Sequence, residues 1–425
     1  MKPKSEIKRN SYKIPLVASL GGCMEFYDFS LFIFMLHPIS EAFFPGEPPS
    51  VSFYKTLLIF AVGYIMRPFG GLFFGHLGDR WGRKKAFQIS LVLMSLTSFM
   101  IALIPGVAKI GWFSPLFLLS LRVLQGFALG GEIPGAAIFA SEHFPRKRGL
   151  INGMLFLGIT WGMLLASVVI LILRGILSPV HFTEYGWRIG FIFGGFSGLL
   201  ILWLRSSFSE PSIFIDFLAH KRKFPLVDLF RFSKKEVIQG ILAMAMVSGS
   251  LFLMIRINDY INTFSKIQLE NENIVSTYFF GVYGVFIFFS GWISDKIGRR
   301  MMMLIGCVSG GIGSIVFFFL LPGFSSYFEV FFWLTFWAIT MSLCNGTFAC
   351  FTIERFPTVY RFSGFAFCYN IGFASFGGII PLFLTSLLGH LSSIIILIIY
   401  IFVLALTNFL SVLTSKDFFK EHLRF

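Results

Sequence analysis

Glu25 and Asp28 interrupt an apolar run that extends from Ile14 to His37. If that run crosses a bilayer, a charge at its centre costs about 2.5–3.5 kcal/mol on insertion scales. Arg67, Arg122, Glu132, Arg256 and Asp259 stand in comparable runs. Left bare, the whole set would cost roughly 20 kcal/mol. These residues must therefore pair or face a watered cavity. Their acids outnumber their arginines by one, so one carboxyl is left without a fixed partner. In a low dielectric such a carboxyl takes up a proton near neutral pH, and an anionic or zwitterionic solute competing for the arginines would link occupancy to protonation. Glu25 and Asp28, with Glu132, are the expected proton carriers. Static ion pairs that only fix packing are the plainer alternative. That alternative weighs most for Arg256 and Asp259, which lie near a span end where side chains can reach the interface.

The spacing supports contact. Glu25 and Arg67 each lie about 11 residues from the same-side ends of their runs, roughly 17 Å up at 1.5 Å per residue. Glu25 and Asp28 share a helix face with Gly21, and Gly71 with Gly75 forms a small-residue strip suited to close helix approach. Arg122, Gln125, Gly126, Leu129 and Glu132 recur at intervals of three and four, which places them on one face, expected to meet a central cavity. The expected solute site comprises Tyr27, Arg67, Arg122, Gln125, Trp161, Arg256, Asp259, Tyr369 and Asn370, with Tyr283 and Asn345 at comparable depth. With 58 Phe and 12 Tyr in the chain, packing against lipid is the ordinary reading of any one aromatic residue.

The elements that must position these groups follow from composition. Of the 425 residues, 56% are hydrophobic and 13% charged, outside the usual soluble balance. Twelve runs of about 20 apolar residues, the length needed to span a bilayer, lie between residues 14 and 414. With the N-terminus on the inner side, 27 of the 35 Lys and Arg residues fall in the inner loops and tails, which predicts cytoplasmic termini. The net charge of +14 thus marks topology, and no nucleic-acid surface is expected. The predicted division is a six-helix bundle over 1–205, a cytoplasmic linker over 206–236, and a second six-helix bundle over 237–425 with a short tail. The linker stretch from Ile213 to Phe230 is expected either to lie on the inner membrane surface or to be a solvated loop. The five cysteines lie in or beside apolar runs and are expected to be packing residues. The histidines show no metal-ligand spacing, and no H-E-x-x-H is present. Neither a metal, a cofactor nor an enzymatic activity is expected.

Two motifs recur. Gly75-His-Leu-Gly-Asp79-Arg80-Trp-Gly82-Arg83-Lys84 is matched 216 residues later by Gly291-Trp-Ile-Ser-Asp295-Lys296-Ile-Gly298-Arg299-Arg300. Glu142-His-Phe-Pro145, followed by Arg148, is matched 212 residues later by Glu354-Arg-Phe-Pro357, followed by Arg361. The chain is a duplicated six-helix unit whose copies share one membrane orientation. Asp79, Arg80, Arg83, Glu142, Arg148, Asp295, Arg299, Glu354 and Arg361 are expected to gate the inner side, the acids meeting bases or helix N-termini of the opposite half. Topological charge alone is the plainer alternative.

The repeated D-[RK]-x-G-R-[RK] signature resembles that of the major facilitator superfamily. Within it the chain is similar to the metabolite:proton symporter branch of proline/betaine, α-ketoglutarate, shikimate and citrate transporters. The resemblance rests on Glu25-Phe-Tyr-Asp-Phe29, Arg67-Pro-Phe-Gly-Gly71, Arg122-Val-Leu-Gln-Gly126 and Gly130-Gly-Glu132, and more weakly on Ser209-Glu-Pro211. It implies an all-α integral membrane protein of the bacterial inner membrane. It also implies alternating-access symport of protons with a small carboxylate-bearing or zwitterionic metabolite; because one polypeptide with both halves can enclose a pathway, a monomer is expected. A drug- or sugar-type antiporter or uniporter of the same fold, or a non-transporting membrane sensor, are the alternatives. The span at 149–173 lacks the Gly-Pro pair of drug antiporters, and with only about a dozen residues after the last span the coiled-coil tail of osmosensing transporters is not expected.

Overall fold

A computed structural model describes residues 13–206, 208–211, 214–215, 225–269, 272–380 and 394–419. Among these residues the regular structure is helical throughout, and eleven helices are long and apolar enough to cross a membrane. In the first half these are α1 (Lys13–Phe34), α2 (Pro49–Trp81), α3 (Arg83–Leu103), α4 (Phe113–His143), α5 (Arg148–Ile176) and α6 (Trp187–Ser206). In the second half they are α7 (Lys234–Ile255), α8 (Glu272–Ile297), α9 (Arg299–Leu320), α10 (Tyr327–Ile353) and α12 (Ile394–Leu413). Between the last two, α11 (Arg361–Ala374) continues through a π-helical turn, Ser375–Ile379. The residues 381–388 expected to complete its span lie outside the described residues.

The duplication is visible in backbone detail. Gly82 (φ 124°) and Gly298 (φ 98°) turn the chain from α2 into α3 and from α8 into α9, a conformation that only glycine adopts without strain. These are the glycines of the repeated motif. Both α1 and α7 are followed by a one-residue break, at Met35 and Arg256, and a short continuation, Leu36–Phe43 and Ile257–Phe264.

The two halves meet where α5 packs on α8 and α2 on α11. Gly71 and Gly75 serve the second of these contacts. A Cβ on Gly71 would lie 2.4 Å from Asn370 Nδ2 and one on Gly75 2.8 Å from the Ser363 Cα. The small-residue strip of α2 therefore serves close approach to the opposite half. Of the linker, Pro225–Phe232 is a helix that buries Leu229 against Phe356, Tyr360 and Cys368, so this part is not a solvated loop. Lys221, Arg222 and Lys223 lie outside the described residues, as does most of the segment expected at the membrane surface.

Candidate functional site

α2 and α4 touch backbone to backbone, and that contact sets the site. A Cβ on Gly126 would lie 2.1 Å from the Gly63 carbonyl oxygen, and one on Gly130 2.2 Å from that of Arg67. Arg67, Arg122 and Gln125 are thereby drawn into the same narrow space as Glu25 and Asp28 of α1. All five are buried.

These groups form two tiers. In the first, Arg122 donates through Nη1 to Gln125 Oε1 and lies with its Cζ 4.0 Å from the Phe32 ring centroid. Gln125 Nε2 donates to Asp28 Oδ2 at 3.2 Å, and the Ser98 hydroxyl donates to the same oxygen. Asp28 Oδ1 has no hydrogen-bond partner. In the second tier, the Arg67 guanidinium lies 4.6 Å from the Tyr64 ring centroid and 5.1 Å from that of Phe29. Among the described residues its Nε and Nη2 lack partners, as do both carboxylate oxygens of Glu25 and the hydroxyl of Tyr369 from α11. Glu25 lies within electrostatic reach of Glu132, Arg67 and Arg205. Buried polar groups are ordinarily hydrogen-bonded, and among the described residues several donors and acceptors without a partner concentrate at the junction of the halves.

Beside this tier a cavity of about 40 Å³ lies between the halves, lined by Phe26, Tyr283, Asn345, Phe348, Tyr369 and Phe373 among others. The rings of Tyr369 and Phe373 lie 4.3 Å apart, tilted by 33°. Asn370, the next residue, donates through Nδ2 to the Gly130 carbonyl at 2.8 Å and so ties α11 to α4.

Other expected site residues lie elsewhere. Glu132 is joined to Arg205 at 2.6 Å and accepts from Ser90 at 2.8 Å. The Tyr27 hydroxyl donates to the Gly190 carbonyl of α6 at 2.9 Å. Trp161 is 43% exposed and packs against Gly284 rather than lining the cavity. Arg256 and Asp259 pair with each other at 2.8 Å with side chains 39% and 52% exposed, outside the buried cluster. Arg205 was not expected here, because its place next to a polar stretch puts it among the inner-loop charges. It changes the charge balance of the first half, where Glu25, Asp28 and Glu132 now face Arg67, Arg122 and Arg205.

The repeated motifs meet the opposite half at both contacts, α2 with α11 and α8 with α5. Asp79 accepts from the backbone of Phe362 (3.2 Å) and of Ser363 (2.8 Å) and from the Ser363 hydroxyl (2.7 Å), at the N-terminus of α11. Asp295 accepts from the backbone of Gly149 (2.9 Å) and Leu150 (2.8 Å), at the N-terminus of α5. Each acid thus caps a helix of the opposite half, where the helix dipole favours negative charge. Glu142 lies 3.3 Å from Arg83 and 2.7 Å from Arg361; Glu354 lies 3.4 Å from Arg148 and 3.1 Å from Arg299. Arg83 also donates to the Thr358 carbonyl at 2.9 Å. Burial pushes the Glu354 carboxyl up from its ordinary value, against the lowering effect of both arginines. Arg80 is exposed. Glu210, part of the weaker motif, accepts from the backbone of Arg83 and, at 3.1 Å, of Lys84, so it caps α3.

Residues 14–224 match the sugar (and other) transporter family. Over 416 residues the chain is 30% identical to the proline/betaine transporter of Escherichia coli (strain K12), covering 94% of this chain and 82% of that one. Over 377 residues it is 33% identical to the inner membrane metabolite transport protein YhjE of the same organism, covering 85% of this chain and 84% of that one. The structure of the proton:xylose symporter XylE bound to 6-bromo-6-deoxy-D-glucose shares its fold, with a TM-score of 0.79 at 16% identity over 98% of each chain.

Proposed function

The chain belongs to the major facilitator superfamily of membrane transporters, and from that premise we propose that it carries a small zwitterionic solute of the proline or betaine type together with protons. The observation that carries this reading is the pairing of orphaned groups at one junction: a fully buried Glu25 with both oxygens unpartnered, within electrostatic reach of an Arg67 whose fork is only partly engaged. The carboxylate of the solute would take the free edge of Arg67, and its ammonium would face the Tyr369 and Phe373 rings, whose π-faces attract cations. Glu25 would carry the proton, with Asp28 as the second titrating group of the same half.

In this reading the protein lies in a bacterial inner membrane with cytoplasmic termini, the repeated motifs face the cytoplasm, and the units 1–205 and 237–425 rock about the site. The contacts of Asp79 and Asp295 with the opposite half hold the cytoplasmic side shut, and their loss opens it.

The test is uptake of labelled proline and glycine betaine into proteoliposomes under an imposed pH gradient. The native protein should accumulate one of them with proton entry, and Glu25→Gln should abolish accumulation while leaving solute counterflow. Proton-driven accumulation that survives in both Glu25→Gln and Asp28→Asn rejects the assignment.

A further inference from the structure

Arg205 belongs to neither repeated motif. It sits in the last turn of α6, yet it is only 1% exposed. Its Nη1 donates to Glu132 Oε1 at 2.6 Å, and its Cζ lies 3.7 Å from the Phe87 ring centroid. Its Nε and Nη2 have no hydrogen-bond partner among the described residues. Nη2 occupies the space that a side chain on Gly21 would need, since a Cβ there would lie 1.7 Å from it. Gly21 precedes Glu25 by four residues in α1, so the two share one face a single turn apart. One donor edge of Arg205 is therefore fixed on Glu132, while the other lies uncommitted against the helix face that bears Glu25.

The charged and titratable groups within electrostatic reach of Glu25 come from four helices. They are Arg67 of α2, Glu132 of α4, Arg205 of α6 and, from the opposite half, Tyr369 of α11. Glu25 and Glu132 repel each other when both are ionised, and Arg205 is the cation bonded to one of them and packed one turn from the other. Arg67 also lies within reach of Glu25, but of the two arginines only Arg205 bonds Glu132 and could serve both acids.

We infer that Arg205 is a positioning residue for proton coupling, bonded to Glu132 through Nη1 and receiving the Glu25 carboxylate on Nη2 when Glu25 releases its proton. The step balances: the O–H bond of Glu25 breaks, the proton passes to water on the open side, and the carboxylate left behind accepts a hydrogen bond from the Arg205 guanidinium. Reprotonation reverses it, and no other reactant is needed. This inference rests on the assignment of Glu25 as proton carrier.

The experiment compares Arg205→Lys, Arg205→Gln and Gly21→Ala with Glu25→Gln in proteoliposomes. Two readouts are taken for each: counterflow of labelled proline or glycine betaine, and the pH profile of gradient-driven uptake. Gly21→Ala keeps every charge but denies Nη2 its place, so it remains informative should the Arg205 variants fail to fold. Arg205→Gln and Gly21→Ala should both move the pH midpoint of driven uptake upward by about one unit, the order of effect of losing one nearby counter-charge. Arg205→Lys should shift it less, because an ammonium keeps the charge but not the two-edged fork. A midpoint unchanged in Gly21→Ala, with counterflow intact, overturns the inference. So does a midpoint unchanged in a folded Arg205→Gln. If Glu25→Gln still accumulates solute, the proton-carrier assignment itself fails; if Glu25→Gln loses accumulation while these variants keep the native midpoint, only the role of Arg205 fails.

Discussion

Arg361 Nη1 lies 2.7 Å from Glu142 Oε1, and both side chains are completely buried at the seam between the two halves. Arg83, 3.3 Å from the same carboxylate, belongs to the same half as Glu142, so one acid serves one cation from each side. Breaking a buried pair by removing one partner costs about 3–5 kcal/mol. Because the pair spans the seam, that cost falls on the state closed at this end. Glu142→Gln should therefore favour the open state, measured as lower affinity for a solute offered from the opposite side. Equal affinities on the two faces in both proteins would argue against a gate here.

Cys350 offers a direct reporter of the same seam. Its thiol is buried and lies 3.1 Å from Asn152 Nδ2 of the opposite half. In a Cys23→Ala background, a membrane-impermeant maleimide should label Cys350 slowly in the native protein. Asp295→Asn weakens charge-assisted bonds to Gly149 and Leu150, each worth roughly 1.5–3 kcal/mol, so labelling should accelerate by about tenfold or more. Mass spectrometry of the labelled peptide measures it, and identical rates would show that Asp295 does not hold the seam.

Arg67 should not tolerate lysine. Its guanidinium is flanked by Phe29 and Tyr64, a stacked arrangement that an ammonium on a flexible stem does not reproduce. Arg67→Lys should raise the KM for solute by about tenfold, the equivalent of one lost charge-assisted bond. A native KM would remove Arg67 from the solute site.

Gly126→Ala tests the scaffold beneath the site. Its Cβ would lie 2.1 Å from the Gly63 carbonyl, whereas a Cβ on Gly175 meets nothing within 4 Å. Overpacking of this kind costs about 1–3 kcal/mol. In detergent, Gly126→Ala should lower the unfolding temperature and Gly175→Ala should leave it unchanged.

The fold was legible because membrane spans, charge asymmetry and a duplicated motif are all one-dimensional signals. The site was legible only in part. Glu25, Asp28, Arg67, Arg122 and Gln125 announce themselves as polar groups in apolar runs, and helical spacing brings the last two to one face. Arg205 gave no such sign, since a basic residue at a span end is what the positive-inside pattern leads one to expect. Trp161 could not be told from a lipid-facing aromatic by depth alone. The meeting of Gly71 and Gly75 with α11 depends on how two distant halves dock, and spacing within one helix carries no information about that.

Asp79 and Asp295 hold the opposite half by main-chain amides as well as, in one case, a serine hydroxyl. The residues that offer those amides differ in the two copies, Phe362 and Ser363 in one and Gly149 and Leu150 in the other. A clasp made largely of peptide groups survives substitution of the residues it grips, provided the helix still begins there. Each copy can therefore carry different side chains around the same catch.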